Sequence, residues 1–102
     1  MAELSLHLSA EHLEIVRDIL KKHIPHYTVW AFGSRVIGNI KPYSDLDLAV
    51  ITDRPLDLSI SAALADDFSA SDLPIKVDIV DWAGTSESFR KIIARDKIIL
   101  QL

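Results

Sequence analysis

Cysteine is absent from this chain of 102 residues, which excludes disulfides, thiolate metal sites and a cysteine nucleophile. A basic excess is absent too: 15 acidic residues against 11 basic ones give a formal net charge of −4, with no block of like charge. Proteins that grip a nucleic-acid duplex usually carry a basic stripe that displaces counterions from phosphates, so long nucleic acid is a poor first partner. No stretch approaches membrane-spanning length, and the opening MAELSLHLSAEHLE has no basic segment leading into an apolar one. A cytoplasmic location is the expectation. There is no internal repeat, linker or low-complexity segment. What remains is ordinary for a soluble globular protein, 49% hydrophobic and 25% charged. One domain spanning 1–102 is expected, burying roughly 60 to 70% of its unfolded surface, with no length left for a separate substrate-binding domain.

Ser9 is placed to cap a helix with Glu11 in its first turn and Leu13, Val16 and Leu20 at helical spacing, ended by Pro25. Tyr27 to Phe32 reads as a buried strand stopped by Gly33, with a short helix over Ser34 to Ile37 and a loop from Gly38 to Tyr43. Leu46 to Ile51 is the strongest strand signal. Thr52 to Pro55 turns the chain into a helix from Leu58 to Ala70 that buries Ile60, Leu64 and Phe68. A third strand follows over Ile75 to Val80, then a helix capped by Ser86; the terminal KIILQL fits a helical extension or a short edge strand. Helices alternating with three strands predict an α/β (α+β) fold, a small mixed sheet of three or more strands with helices mainly on one face.

Asp45, Asp47 and Asp78 carry the chemistry. Strand alternation puts Asp45, Asp47 and Ala49 on one face, opposite Leu46, Leu48 and Val50, and puts Asp78 with Lys76 and Val80 on the third strand. Ionised carboxylates within apolar strands are costly to bury unless paired or bound to a metal. If the third strand lies beside the second, the three converge on an oxygen-rich site suited to Mg²⁺ and substrate phosphates. Two such ions could activate an attacking oxygen and stabilise leaving pyrophosphate. The bland alternative is that these aspartates cap strand ends at the surface or pair with Lys76 and Arg35.

The Gly33-Ser34 turn lets phosphate oxygens approach the backbone, with the serine hydroxyl and neighbouring N–H groups as donors. It is not a Walker A loop, since no Gly-Lys-Ser/Thr follows. Arg35 could add a charge-assisted contact to phosphate, or simply be solvated. Elsewhere, His23 and His26 flank Pro25 as half a metal site or as ordinary helix-end histidines, Trp30 reads as core, and Trp82 as packed on the last helix or stacked on a nucleobase. Ser34 finds no histidine partner within the motif that would make it a nucleophile.

Taken together, FGSR, SDLDLAV and KVDIVDW resemble the minimal nucleotidyltransferase group (MNT) of the DNA polymerase beta superfamily, over about Val29 to Trp82. The resemblance implies that Gly33 and Ser34 bind the triphosphate, and that Asp45 and Asp47 ligate two Mg²⁺ ions. Asp78 would complete one metal site and help deprotonate the attacking hydroxyl. It further implies transfer of a nucleoside monophosphate, AMP from ATP foremost, to a hydroxyl with release of pyrophosphate. Minimal members often sit beside an all-helical HEPN-type protein as toxin and antitoxin, the MNT protein silencing its partner by adenylylation. One departure from the pattern is Ile37, where many members carry a basic residue, with Lys41 the nearest possible substitute. That departure motivates an alternative, a non-catalytic or weakly catalytic antitoxin acting by complex formation. A third possibility, modification of a small molecule, usually involves a second domain for the acceptor.

Overall fold

The computed structural model describes residues 4–38 and 40–102; Asn39, inside the expected loop, and the first three residues of the N-terminal reading lie outside the described residues. Helix α1 runs from Ala10 to His23, with the Ser9 hydroxyl accepting the His12 N–H at 3.2 Å. Glu11 sits in its first turn and Lys21, Lys22 and His23 in its last, each suited to its end of the dipole. Then come β1 (Thr28–Phe32), α2 (Ser34–Ile37), β2 (Leu46–Ile51), α3 (Leu58–Ala70), β3 (Val77–Asp81), a 3₁₀ turn (Trp82–Gly84), α4 (Glu87–Arg95) and β4 (Ile98–Gln101).

The sheet order is β3-β2-β1-β4. β2 pairs antiparallel with β1, Thr28 facing Ile51 through to Phe32 facing Asp47, and parallel with β3, Leu46 beside Val77 through to Val50 beside Asp81. The third strand therefore does lie beside the second, though it starts two residues later than its apolar pattern suggests. The terminal segment, open to two readings in the sequence, is an edge strand antiparallel to β1. Leu100 is buried there, and the Gln101 amide donates to the carbonyls of Ile24 and Tyr27 at 2.7 and 2.9 Å, contacts a helical extension would not make.

Alternation along the strands divides the apolar residues between two layers. Leu46, Leu48 and Val50 of β2 and Val29 and Ala31 of β1 form the main core with Val16, Ile19 and Leu20 of α1 and Leu64 and Phe68 of α3. Each fully buried leucine contributes on the order of 1.5 to 3 kcal/mol. Ile60 packs against this core only in part. The opposite face is covered less completely, by α4, whose Ile93 meets Phe32 and Ala49. A helix pair on one face and a single short helix on the other leave part of the sheet open. No helix among the described residues is long and apolar enough to cross a membrane.

Two polar links hold these layers, and neither was singled out from the sequence. Asp81, at the end of β3, accepts from the Thr52 hydroxyl and from the Leu56 N–H at 2.6 Å, fastening the loop between β2 and α3. His23 Nε2 lies 2.8 Å from Asp67 Oδ2, joining α1 to α3, with Lys22 Nζ at 3.5 Å. The His23 hydrogen bond, helped by Lys22, holds the Asp67 carboxyl below its ordinary pKa. A carboxyl depressed on folding contributes stability above its unfolded pKa, about 3.9, and loses it as pH falls through the lower folded value. Asp67→Asn is accordingly expected to melt below wild type at neutral pH, the two curves converging as the pH is lowered through that range, which Tm measured against pH checks.

Candidate functional site

The site begins where β1 stops. Gly33 adopts φ 81° and ψ −157°, a region closed to side-chain-bearing residues, and turns the chain into α2. A Cβ on Gly33 would collide with Oδ2 of Asp47, so a carboxylate lies directly against the bare backbone. The N–H groups of Val36 and Ile37 both donate to the Gly33 carbonyl at 3.0 Å and close the turn. Those of Ser34 and Arg35, as the first two of the helix, have no partner one turn back.

Asp47 stands between two neighbours in the sheet, Phe32 of β1 and Asp78 of β3. Asp45 comes one residue ahead of β2. Burial pushes the Asp47 carboxyl above its usual pKa, and the charges of Asp78 and then Asp45 push it further. Two like charges thus act on one half-buried carboxyl. Asp78 leans outward, its Oδ1 3.3 Å from Lys76 Nζ, in a well-exposed pair. Among the described residues no three carboxylate or imidazole groups already stand close enough to enclose an ion.

Around Asp47 and Asp78 opens a hollow of about 580 Å³. Gly33 shares its acidic side, while Ile37, Phe89 and Ile92 line it with apolar surface. Ile37 is 60% exposed, so the position where a cation was missed from the sequence presents a bare aliphatic side chain to the cleft. A charged group outside the sequence motifs, Asp96, lines the hollow and pairs with Arg95 at 3.0 Å. Phe89 is held edge-on to Phe32, ring centres 5.7 Å apart, which fixes that wall.

Arg35, read in the sequence as a phosphate contact or a solvated residue, is not solvated, and it lies away from the hollow around Asp47. It is 7% exposed, its Nε donates to the Ser44 carbonyl at 2.9 Å and its Nη1 to the His7 carbonyl at 2.7 Å. It lines a different hollow, with His7, Ile40 and Pro42. The Ser44 and His7 carbonyls draw the guanidinium toward the segments that precede β2 and α1. Nor does Arg35 pair with an aspartate among the described residues, while Lys76 does.

The remaining candidates resolve as packing. Trp82 meets Trp30 edge-to-face at 5.2 Å, with the Arg90 guanidinium of α4 at 5.2 Å over its ring. Trp30 lies on the open face rather than in the main core and carries Lys97 Nζ at 4.6 Å. His23 is committed to Asp67, which removes the half-site with His26.

A family model described as polymerase beta, nucleotidyltransferase matches residues 14–101. A curated relative from Haemophilus influenzae, called a probable protein adenylyltransferase MntA, is 53% identical over 96 residues, spanning 94% of this chain and 84% of the relative. Among solved structures, a toxin–antitoxin with AMP-PNP superposes with a TM-score of 0.72 at 28% identity, covering 86% of this chain and 71% of that one. A tri-AMPylated HEPN toxin in complex with its MNT antitoxin, from Shewanella oneidensis, gives a TM-score of 0.60 at 26% identity, with the same coverage.

Proposed function

This chain belongs to the polymerase beta nucleotidyltransferases, in their minimal MNT branch, and we propose that it moves AMP from ATP to a hydroxyl of an all-helical HEPN-type partner, as the antitoxin of a toxin–antitoxin pair. One observation carries the reading: Asp47, pressed against the Gly33 turn, is driven up in pKa by burial and by the charges of Asp78 and Asp45. Carboxylates that destabilise one another beside a bare glycine backbone fit hard divalent cations, which relieve the repulsion. Mg²⁺ held by Asp45, Asp47 and Asp78 would supply Lewis-acid stabilisation of the charge that develops on the triphosphate.

The chain's own groups do the rest. Gly33 admits the triphosphate to the backbone, and the Ser34 hydroxyl and the leading N–H groups of α2 donate to its oxygens. Asp78, the more exposed carboxylate, accepts the proton of the attacking hydroxyl. The hydroxyl oxygen bonds to the α-phosphorus, the bond from that phosphorus to the bridging oxygen breaks, and pyrophosphate departs. The apolar wall of Ile37, Phe89 and Ile92 shields one side of the cleft from water. The name of the Haemophilus relative and the AMPylated toxin in the Shewanella complex support AMP as the group moved and a HEPN protein as the acceptor. The cytoplasm, where nucleoside triphosphates are plentiful, is the compartment we assign.

Purified chain incubated with Mg²⁺, ATP labelled at the α-phosphate and the helical product of the neighbouring gene is expected to label that product, with no label when Mg²⁺ is chelated. Absence of label with all four nucleoside triphosphates, both proteins being folded, would sink the proposal. A second reading, neutralisation by complex formation alone, draws on the Lys76–Asp78 pair and on Ile37 at the cleft. Joint replacement of Asp45 and Asp47 by asparagine separates the two: neutralisation that survives with the complex intact favours occlusion.

A further inference from the structure

We infer that Arg35 is a positioning residue, which sets where Asp45 stands by gripping the carbonyl next to it and thereby governs how tightly the acidic cleft takes a divalent cation; this rests on the metal-dependent reading above. Asp45 is outside the sheet. The ladder begins with Leu46, whose N–H donates to the Lys76 carbonyl at 2.9 Å and whose side chain is fully buried. Downstream of Asp45 the backbone is therefore fixed. Upstream it leaves a small turn, in which the Ser44 N–H donates to the Lys41 carbonyl at 3.0 Å and the Lys41 N–H to the Ser44 hydroxyl at 2.8 Å. Those bonds close the turn on itself without fixing it to the protein. Arg35 Nε supplies the attachment, at the Ser44 carbonyl.

The other end of the guanidinium is anchored in turn. Nη1 donates to the His7 carbonyl, and the His7 N–H donates to the Arg35 carbonyl at 2.7 Å, so the segment before α1 and the helix α2 brace one another. Arg35 thus links three backbone segments, the one that precedes α1, the one that carries Gly33 and Ser34, and the one that delivers Asp45. Its charge meets no carboxylate at ion-pair distance among the described residues, so the planar fork, with two donors diverging from one rigid group, is the property in use. An ammonium at the end of a flexible stem has no such geometry.

The test compares Arg35→Lys and Arg35→Met, with Mn²⁺ as the probe ion, measured by calorimetry or spin resonance on the isolated chain. Loss of a group that orients a metal ligand typically weakens metal affinity about 10- to 100-fold. Both substitutions are expected to weaken Mn²⁺ binding by at least tenfold and to raise the Mg²⁺ needed for half-maximal AMP transfer by a similar factor. The KM for ATP at saturating metal should stay within about twofold. In an Asp45→Asn background the Arg35→Lys change should alter Mn²⁺ affinity no further, because the ligand it positions is gone. Unchanged Mn²⁺ affinity in a folded variant overturns the inference, as does additivity with Asp45→Asn, or recovery by lysine of a raised KM for ATP, which would mark a phosphate contact. If Arg35→Met does not fold, Arg35→Lys alone decides. Wild type that takes no Mn²⁺ overturns it as well, whereas wild type that binds Mn²⁺ but transfers no nucleotide leaves it standing and removes the proposed reaction instead.

Discussion

Replacing Asp47 with asparagine is expected to abolish AMP transfer and at the same time to raise the melting temperature of the metal-free chain at neutral pH. The two effects share a cause. Burial, Asp78 and Asp45 all push the Asp47 carboxyl above its ordinary pKa, so its ionisation costs more in the folded state than in the unfolded one. A carboxyl raised on folding contributes stability that is fully present below its unfolded pKa, about 3.9, and is lost as pH rises through the folded value. Asparagine carries no charge at any pH and keeps nearly the same shape. The gap between the variants should therefore be absent in acid and open as pH rises, to a Tm difference of about 2 to 5 °C. Added Mg²⁺ should close that gap by stabilising wild type alone, since an ion bound only to the native state adds its binding energy to folding. Transfer should fall on the order of a thousandfold or more, the loss expected when charge stabilisation worth several kcal/mol is removed. Scanning calorimetry of both proteins from pH 3 to pH 8, with and without Mg²⁺, checks the stability half. A variant no more stable than wild type at neutral pH without metal would show that Asp47 is already neutralised by some other group, and the reading of the cleft would fail with it.

What the sequence made legible was whatever is encoded at short range. Asp47 falls on the face of β2 opposite Leu46, Leu48 and Val50 because strand alternation is strictly local, and Gly33 is recognisable as a turn because no neighbour could substitute for its conformation. The partnership of β2 with β3 was a condition in the sequence reading and a fact only in the fold, yet Asp47 and Asp78 depend on it. Arg35 shows the limit. The residues that receive its hydrogen bonds lie nine positions downstream and 28 upstream, and nothing in the triplet Gly-Ser-Arg announces either. An arginine after a Gly-Ser turn suggests phosphate, whereas the fold buries it with two backbone carbonyls as acceptors. Asp81 was passed over for the same reason, since its partners Thr52 and Leu56 are 29 and 25 residues away. In KIILQL the apolar residues suit either periodicity, and the choice is made by Gln101 reaching carbonyls 77 and 74 residues earlier.

Gly33→Ala should be among the most damaging single changes in the chain, and comparison with Gly38→Ala shows why. Both glycines have positive φ, 81° at Gly33 and 100° at Gly38, so alanine strains the backbone at each. Gly38 has ψ near 2° and occupies the left-handed region at the end of α2, where a Cβ costs about 1 to 2 kcal/mol. The atom it would approach, His7 Nε2 at 3.2 Å, ends a side chain that can give way. Gly33, with ψ near −157°, occupies a region essentially restricted to glycine, worth about 1 to 3 kcal/mol in strain, and its Cβ would drive into the Asp47 carboxylate. The backbone of Asp47 is held between Phe32 on one side and Asp78 on the other, so only its side chain can yield. Either the turn opens or the carboxylate swings out of the cleft. Gly33→Ala is thus expected to destabilise by about 2 to 4 kcal/mol, lowering Tm by roughly 10 °C or more, and to cut AMP transfer at least about 100-fold in the fraction that stays folded. Gly38→Ala should cost about 1 to 2 kcal/mol and leave transfer within a few-fold of wild type. Equal losses of transfer in the two variants, measured well below both melting temperatures, would mean that strain in the loop explains the damage and that contact between Gly33 and Asp47 does not organise the site.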